Sequence, residues 1–183
     1  MARPCRDRGI CLTTRALPLI RYRGLAYRAH DPRWAFAPTS GAGAAIHGGR
    51  FNPKGMAALY LALTIEGMFA EVSHGFAHRF PPLTVVTYDV DCAELLDLTT
   101  EAGRQAVGTD LKTLGCAWML DRAEGRTPDT WTLAQRLIAA GAAGVVVPSF
   151  AVGATAGMQN LVLWRWGGEQ QRVVAWDEEG RLG

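Results

Sequence analysis

At 183 residues, with 49% hydrophobic and 20% charged side chains, the chain has the composition of a globular domain with one core, not of a disordered or fibrous protein. No apolar run approaches the roughly 20 residues that cross a bilayer. The arginine-rich start, Met1 to Leu17, also lacks an apolar signal core, so a cytoplasmic protein is expected. Net charge is only +2 but is unevenly spread: residues 1–33 carry +6 and the remainder −4. A basic arm of this kind suits an acidic protein partner or a phosphate pocket. Direct nucleic-acid binding is disfavoured, because neither aromatic interleaving nor a helix-turn-helix pattern accompanies the arginines. Cys5, Cys11, Cys92 and Cys116 are scattered without a CxxC pair and read as idle thiols.

In chain order, residues 20–28 alternate as a strand, and residues 31–55, rich in Pro, Gly, Ser and Asp, read as a long functional loop. Residues 57–63 form a short apolar strand. Thr64 then caps a helix with the stripe Ile65, Met68, Phe69, Val72 and Phe76. Residues 83–90 are β-branched and aromatic, hence a central strand, with a short piece at 95–98. Helices are expected over about 110–123, with Leu111, Leu114, Trp118 and Met119 inward, and over about 128–140. The second has Thr127 as cap, Pro128 at its first position and Gly141 as stop. Strands at 145–147, 160–166 and 171–176 complete the set, the last two reading as a hairpin around Gly167 and Gly168. This order predicts an α+β fold: one domain over 21–183, with mainly antiparallel sheets flanked by helices, after a basic segment at 1–20.

The chemistry-bearing residues concentrate between Tyr27 and Glu71. Arg28, the turn Gly48-Gly49-Arg50-Phe51-Asn52-Pro53, Tyr60 and Glu71 suit a ligand carrying phosphate, a flat ring and a sugar. Arginine forks match phosphate, paired glycines admit close backbone approach, and a carboxylate stabilises developing positive charge. Each feature has a plainer reading: a tight turn, a core tyrosine, a solvent-facing glutamate. The glycine block is neither a phosphate-binding loop of the Gly-Lys-Ser/Thr type nor a strand-to-helix dinucleotide fingerprint. Glu71, His74 and His78 can share a helix face, but with no second Glu-x-x-His a metal site is disfavoured. Ser149 lies outside any Gly-x-Ser-x-Gly elbow. It reads as a capping or ligand-binding serine, with Asn160 supporting its loop.

Together, Tyr27-Arg28, Gly48 to Pro53 with Gly55, Leu59-Tyr60, Glu71, Pro148-Ser149 and Asn160 resemble the RES-domain toxins, partners of Xre-type antitoxins in bacterial toxin–antitoxin pairs. The similarity runs from about Arg21 to Trp176, and Phe51 stands where many members have tryptophan. The resemblance implies an ADP-ribosyltransferase-like fold with NAD+ as substrate. It implies Arg28, Tyr60 and Glu71 as catalytic residues, with Arg28 on the nicotinamide mononucleotide phosphate, Tyr60 stacked on nicotinamide and Glu71 acting on the ribose. Arg50 would bind diphosphate, and Gly49, Asn52, Ser149 and Asn160 would complete the pocket. Members of the family either degrade NAD+ by phosphorolysis or hydrolysis or transfer ADP-ribose to a protein, phosphoribosyl-pyrophosphate synthetase being one target type. A cognate antitoxin covering the NAD+ cleft is also implied.

Overall fold

The computed structural model describes residues 16–73 and 82–182. Six strands form one sheet: β1 (Leu19–His30), β2 (Leu59–Ala62), β3 (Thr84–Asp97), β4 (Gly144–Pro148), β5 (Gln159–Leu163) and β6 (Gln171–Ala175). Their order is β1-β2-β5-β4-β3-β6, and β1 also pairs with β3. The first five strands therefore close into a barrel, with β6 extending the middle of β3. All pairings are antiparallel except β3 with β4. Along one edge of β3, β6 pairs with residues 88–92 and β4 with 95–97. Glu94, with φ 59°, sits at the changeover as a bulge residue.

Strict alternation in the short strands builds two cores. Leu59, Leu61, Val146, Leu161 and Leu163 join Val86, Tyr88 and Leu95 on one face, the barrel interior. Val145, Val147 and Val162 point the other way, against Leu114, Leu133 and Leu137. Those leucines come from α4 (Leu111–Leu114) and α6 (Asp129–Ala139), so the second core lies between barrel wall and helices. Tyr60 and Phe51 belong to this outer layer. The remaining helices are α1 (Ala42–His47), α2 (Ile65–Ser73), α3 (Glu101–Ala106) and α5 (Trp118–Ala123).

Closure is narrowest between β1 and β2, where a single register pair, Tyr27 with Ala62, joins the strands. Helix α2 packs across both strands at this seam. Thr64 caps it as the sequence predicts, accepting from the Gly67 amide at 3.0 Å. Met68 is buried, whereas Ile65 and Phe69 of the expected stripe are exposed. Phe76, His74 and His78 lie outside the described residues.

Several expectations need correcting. The tail turn forms, with the Gly167 amide donating to the Gln171 carbonyl at 2.8 Å. Its strands nevertheless do not pair with each other: β5 lies between β2 and β4, and β6 joins β3. The separate strands at 83–90 and 95–98 are one continuous β3. The helix expected over 110–123 breaks after Leu114, where the Leu114 and Cys116 carbonyls both accept from Arg50, and Leu111 and Met119 are exposed. Pro128 takes the cap position of α6, one step outside the first turn. The loop at 31–55 contains a 3-10 turn at Pro32–Trp34 and the whole of α1.

Candidate active site

The glycine turn is built from the inside. Helix α1 ends at Gly48, whose φ of 73° reverses the chain. Gly49 and Asn52 then bond each other's backbones, the Gly49 amide donating to the Asn52 carbonyl at 2.9 Å. Asn52 is fully buried and holds the turn together. Its Nδ2 donates to the Ala44, Pro53 and Met56 carbonyls at 2.9, 3.1 and 2.8 Å, and its Oδ1 accepts the Tyr60 hydroxyl at 2.7 Å. That hydroxyl in turn accepts from the Phe51 amide at 3.0 Å. A Cβ on Gly49 would lie 2.5 Å from the Tyr60 oxygen and 2.6 Å from Asn52 Oδ1, so only glycine fits. Gly49 and Asn52, expected at the ligand, line neither cavity described below; they shape the turn that presents Arg50.

The two arginines are mounted alike. Arg28 Nη1 donates to the Pro38 and Ser40 carbonyls at 3.1 and 2.9 Å. Arg50 Nη1 donates to those of Leu114 and Cys116 at 3.2 and 2.7 Å. In each case backbone carbonyls fix one corner of the fork and leave other donors for an anion. Arg50 also lies 4.8 Å from the Phe150 ring centroid. Burial lowers the Arg50 pKa from its ordinary value, against the opposing pull of Cys116 and then Glu71, and it stays charged. Burial pushes the Tyr60 phenol well above its usual range, keeping it a neutral donor.

Glu71, on α2, meets two residues from the far end of the chain. Its Oε1 accepts from Ser149 Oγ at 2.7 Å and from Asn160 Nδ2 at 2.5 Å. The carboxylate thereby fixes the Asn160 amide, whose Oδ1 is buried without a partner among the described residues. Glu71 Oε2 takes no hydrogen bond among the described residues. Ser149 is further placed by its own amide, which donates to the Met158 carbonyl at 2.8 Å.

Two cavities meet at this carboxylate, and Tyr60, Glu71 and Asn160 line both. One, of about 440 Å³, holds Arg50, Phe150 and Trp118. The other, of about 270 Å³, lies over the β1–β2 seam with Tyr27, Arg28 and Met68. A larger groove of about 740 Å³ beside α3 is lined mostly by small side chains, and its one carboxylate, Asp97, already accepts from Thr99. It offers little chemistry. Among the described residues no three His, Cys, Asp or Glu side chains cluster to hold a metal. Arg28, Arg50, Tyr60, Glu71 and Asn160 thus line one bipartite cleft, whereas Ser149, expected in the pocket, lines neither cavity and reaches the site through its bond to Glu71.

The family model of the RES domain matches residues 25–182. The chain belongs to the RES-domain family. The RES domain is the toxin of RES–Xre systems, and the family is associated with NAD-utilising enzyme activity. No curated protein matches the chain. The sequence missed two aromatic walls of this RES domain. Phe150 adjoins Ser149, and the helical spacing places Trp118 on an inward face. No helix among the described residues is long and apolar enough to cross a membrane.

Proposed function

We propose that this RES domain is an NAD+-cleaving toxin on a fold related to the ADP-ribosyltransferases, which breaks the nicotinamide–ribose bond and passes ADP-ribose to a protein. The observation that carries the reading is the Glu71 carboxylate, held on one oxygen by Ser149 and Asn160 between two arginine-lined cavities. A dinucleotide with two phosphates and two rings suits such a bipartite cleft. As the C–N bond lengthens, its electron pair leaves with nicotinamide and positive charge develops on the ribose. The Glu71 Oε2 edge faces that charge and a ribose hydroxyl, while Ser149 and Asn160 keep the carboxylate from rotating. Arg28 and Arg50 hold the diphosphate, and the Tyr60 ring supports the nicotinamide. The acceptor is read as a protein because the basic segment at 1–20 offers docking charge; phosphoribosyl-pyrophosphate synthetase is one such target. Phosphate or water in the acceptor's place gives NAD+ degradation from the same first step. A cognate Xre-type antitoxin would silence the toxin by covering the cleft, in the cytoplasm.

Nicotinamide release from NAD+, followed by NMR, tests the proposal. Glu71→Gln keeps an oxygen for Ser149 and Asn160 but removes the charge, and is expected to slow release by roughly 10²–10³-fold, the scale of losing one preorganised electrostatic partner. Release by the wild type that is equal in the variant overturns the role of Glu71. Dependence on inorganic phosphate or on added lysate protein identifies the acceptor.

A further inference from the structure

Four tryptophans of the described chain are half-buried: Trp118, Trp131, Trp164 and Trp166. Three donate their indole N–H to backbone carbonyls, Trp131 to Gly49 at 2.8 Å, Trp164 to Phe51 at 3.0 Å and Trp166 to Thr39 at 3.0 Å. Trp118 donates to no acceptor among the described residues, although a partly buried indole ordinarily finds one. Its ring lines the 440 Å³ cavity. Packing does not account for its presence, since α5 buries none of its own residues. The Arg122 guanidinium lies 5.9 Å from the Trp118 ring centroid and donates to the His47 carbonyl at 2.6 Å, tying α5 to the glycine turn. Trp118 is thus a large flat ring with an unused donor, held at the wall of a cavity.

We infer that Trp118 is the recognition wall for the adenine base of the dinucleotide, in the Arg50 cavity. The inference rests on NAD+ being the substrate. If the scissile bond lies at Glu71, one cavity takes the departing nicotinamide and the other the ADP half. The Arg50 cavity is the larger and the more aromatic, with Phe51, Trp118 and Phe150 beside the shared Tyr60 where the other cavity adds only Tyr27, which suits the larger ring. The indole N–H lies in the ring plane, where it does not reach a base stacked on the ring face but is free for the ribose or phosphate oxygens attached to that base. Stacking supplies affinity and the N–H supplies orientation.

The test is an NMR titration of the intact protein with adenosine monophosphate and, separately, with nicotinamide mononucleotide, using wild type, Trp118→Ala and Trp118→Phe. Base-on-aromatic stacking sets the expected scale: Trp118→Ala weakens adenosine monophosphate about tenfold or more. Trp118→Phe, which keeps a stacking face, weakens it no more than about threefold on the same scale. Matching melting temperatures establish that the variants fold. Failure of the wild type to bind adenosine monophosphate, or a loss in Trp118→Ala that falls equally on both mononucleotides, overturns the inference. Selective loss of adenosine monophosphate in a protein that releases no nicotinamide would uphold the base wall while defeating the proposed reaction.

Discussion

Tyr60→Phe separates the two halves of the Tyr60 side chain, the ring that lines both cavities and the hydroxyl that locks the glycine turn. Removing the oxygen leaves the Phe51 amide without its acceptor and Asn52 Oδ1 without its donor. The Asn52 amide cannot flip to compensate, because its Nδ2 is engaged with three carbonyls. A buried polar group stranded in this way costs roughly 1–3 kcal/mol. Two of them, with partial relaxation, give a loss of about 3 kcal/mol. For a domain of this size each kcal/mol lowers the melting temperature by about 2–4 °C, so a drop of about 6–12 °C is expected. Thermal melting followed by circular dichroism, with urea midpoints at constant m-value, reads it directly. A variant melting within about 2 °C of the wild type would refute the keystone role of the hydroxyl.

Ser149→Ala removes one of the two donors on Glu71 Oε1, a charge-assisted bond worth roughly 1.5–3 kcal/mol. With Asn160 alone orienting the carboxylate, kcat for nicotinamide release is expected to fall about tenfold or more. An unchanged kcat would show that the serine acts elsewhere. At the β1–β3 pairing, Asp91 accepts from Arg21 and Arg23, which lowers its pKa from 3.8 to about 2. A depressed carboxylate contributes stability that is full above its unfolded pKa and is lost as pH falls towards the folded value. Asp91→Asn is therefore expected to flatten the acid side of the stability curve between about pH 4 and pH 2. The effect is small because the pair is exposed, and parallel urea-midpoint curves for the two proteins would contradict it.

Many local features of this fold are legible in the sequence, and the non-local ones are not. Thr64 announces its helix because capping depends on a residue three positions away, and the alternation in residues 145–147 and 160–163 assigns faces without reference to partners. Barrel closure depends on β1 meeting β3 across more than 50 intervening positions, which no window of sequence contains. The tail hairpin failed for the same reason: its turn forms locally, but β3 offers β6 an edge that β5 cannot use. Helix α1 was hidden in a run of alanine and glycine with no amphipathic stripe. At the cleft, residue type and motif mark Glu71, Ser149 and Asn160, but the shared oxygen joining them is a product of the fold. Asn52 misled because a polar side chain in a glycine turn looks the same whether it faces a ligand or the chain itself.

The placement of those three residues has a consequence for how the protein comes into being. Glu71 leaves the ribosome early, Ser149 and Asn160 near the end, and β5, which carries Asn160, must pair with β2 before Asn160 meets Glu71. Pairings this distant in sequence form slowly. A nascent chain that still lacks β4 and β5 carries both arginines and the carboxylate, yet nothing orients that carboxylate. The set of that carboxylate is the last property the chain acquires, and a chain cut short before residue 149 lacks both donors that provide it.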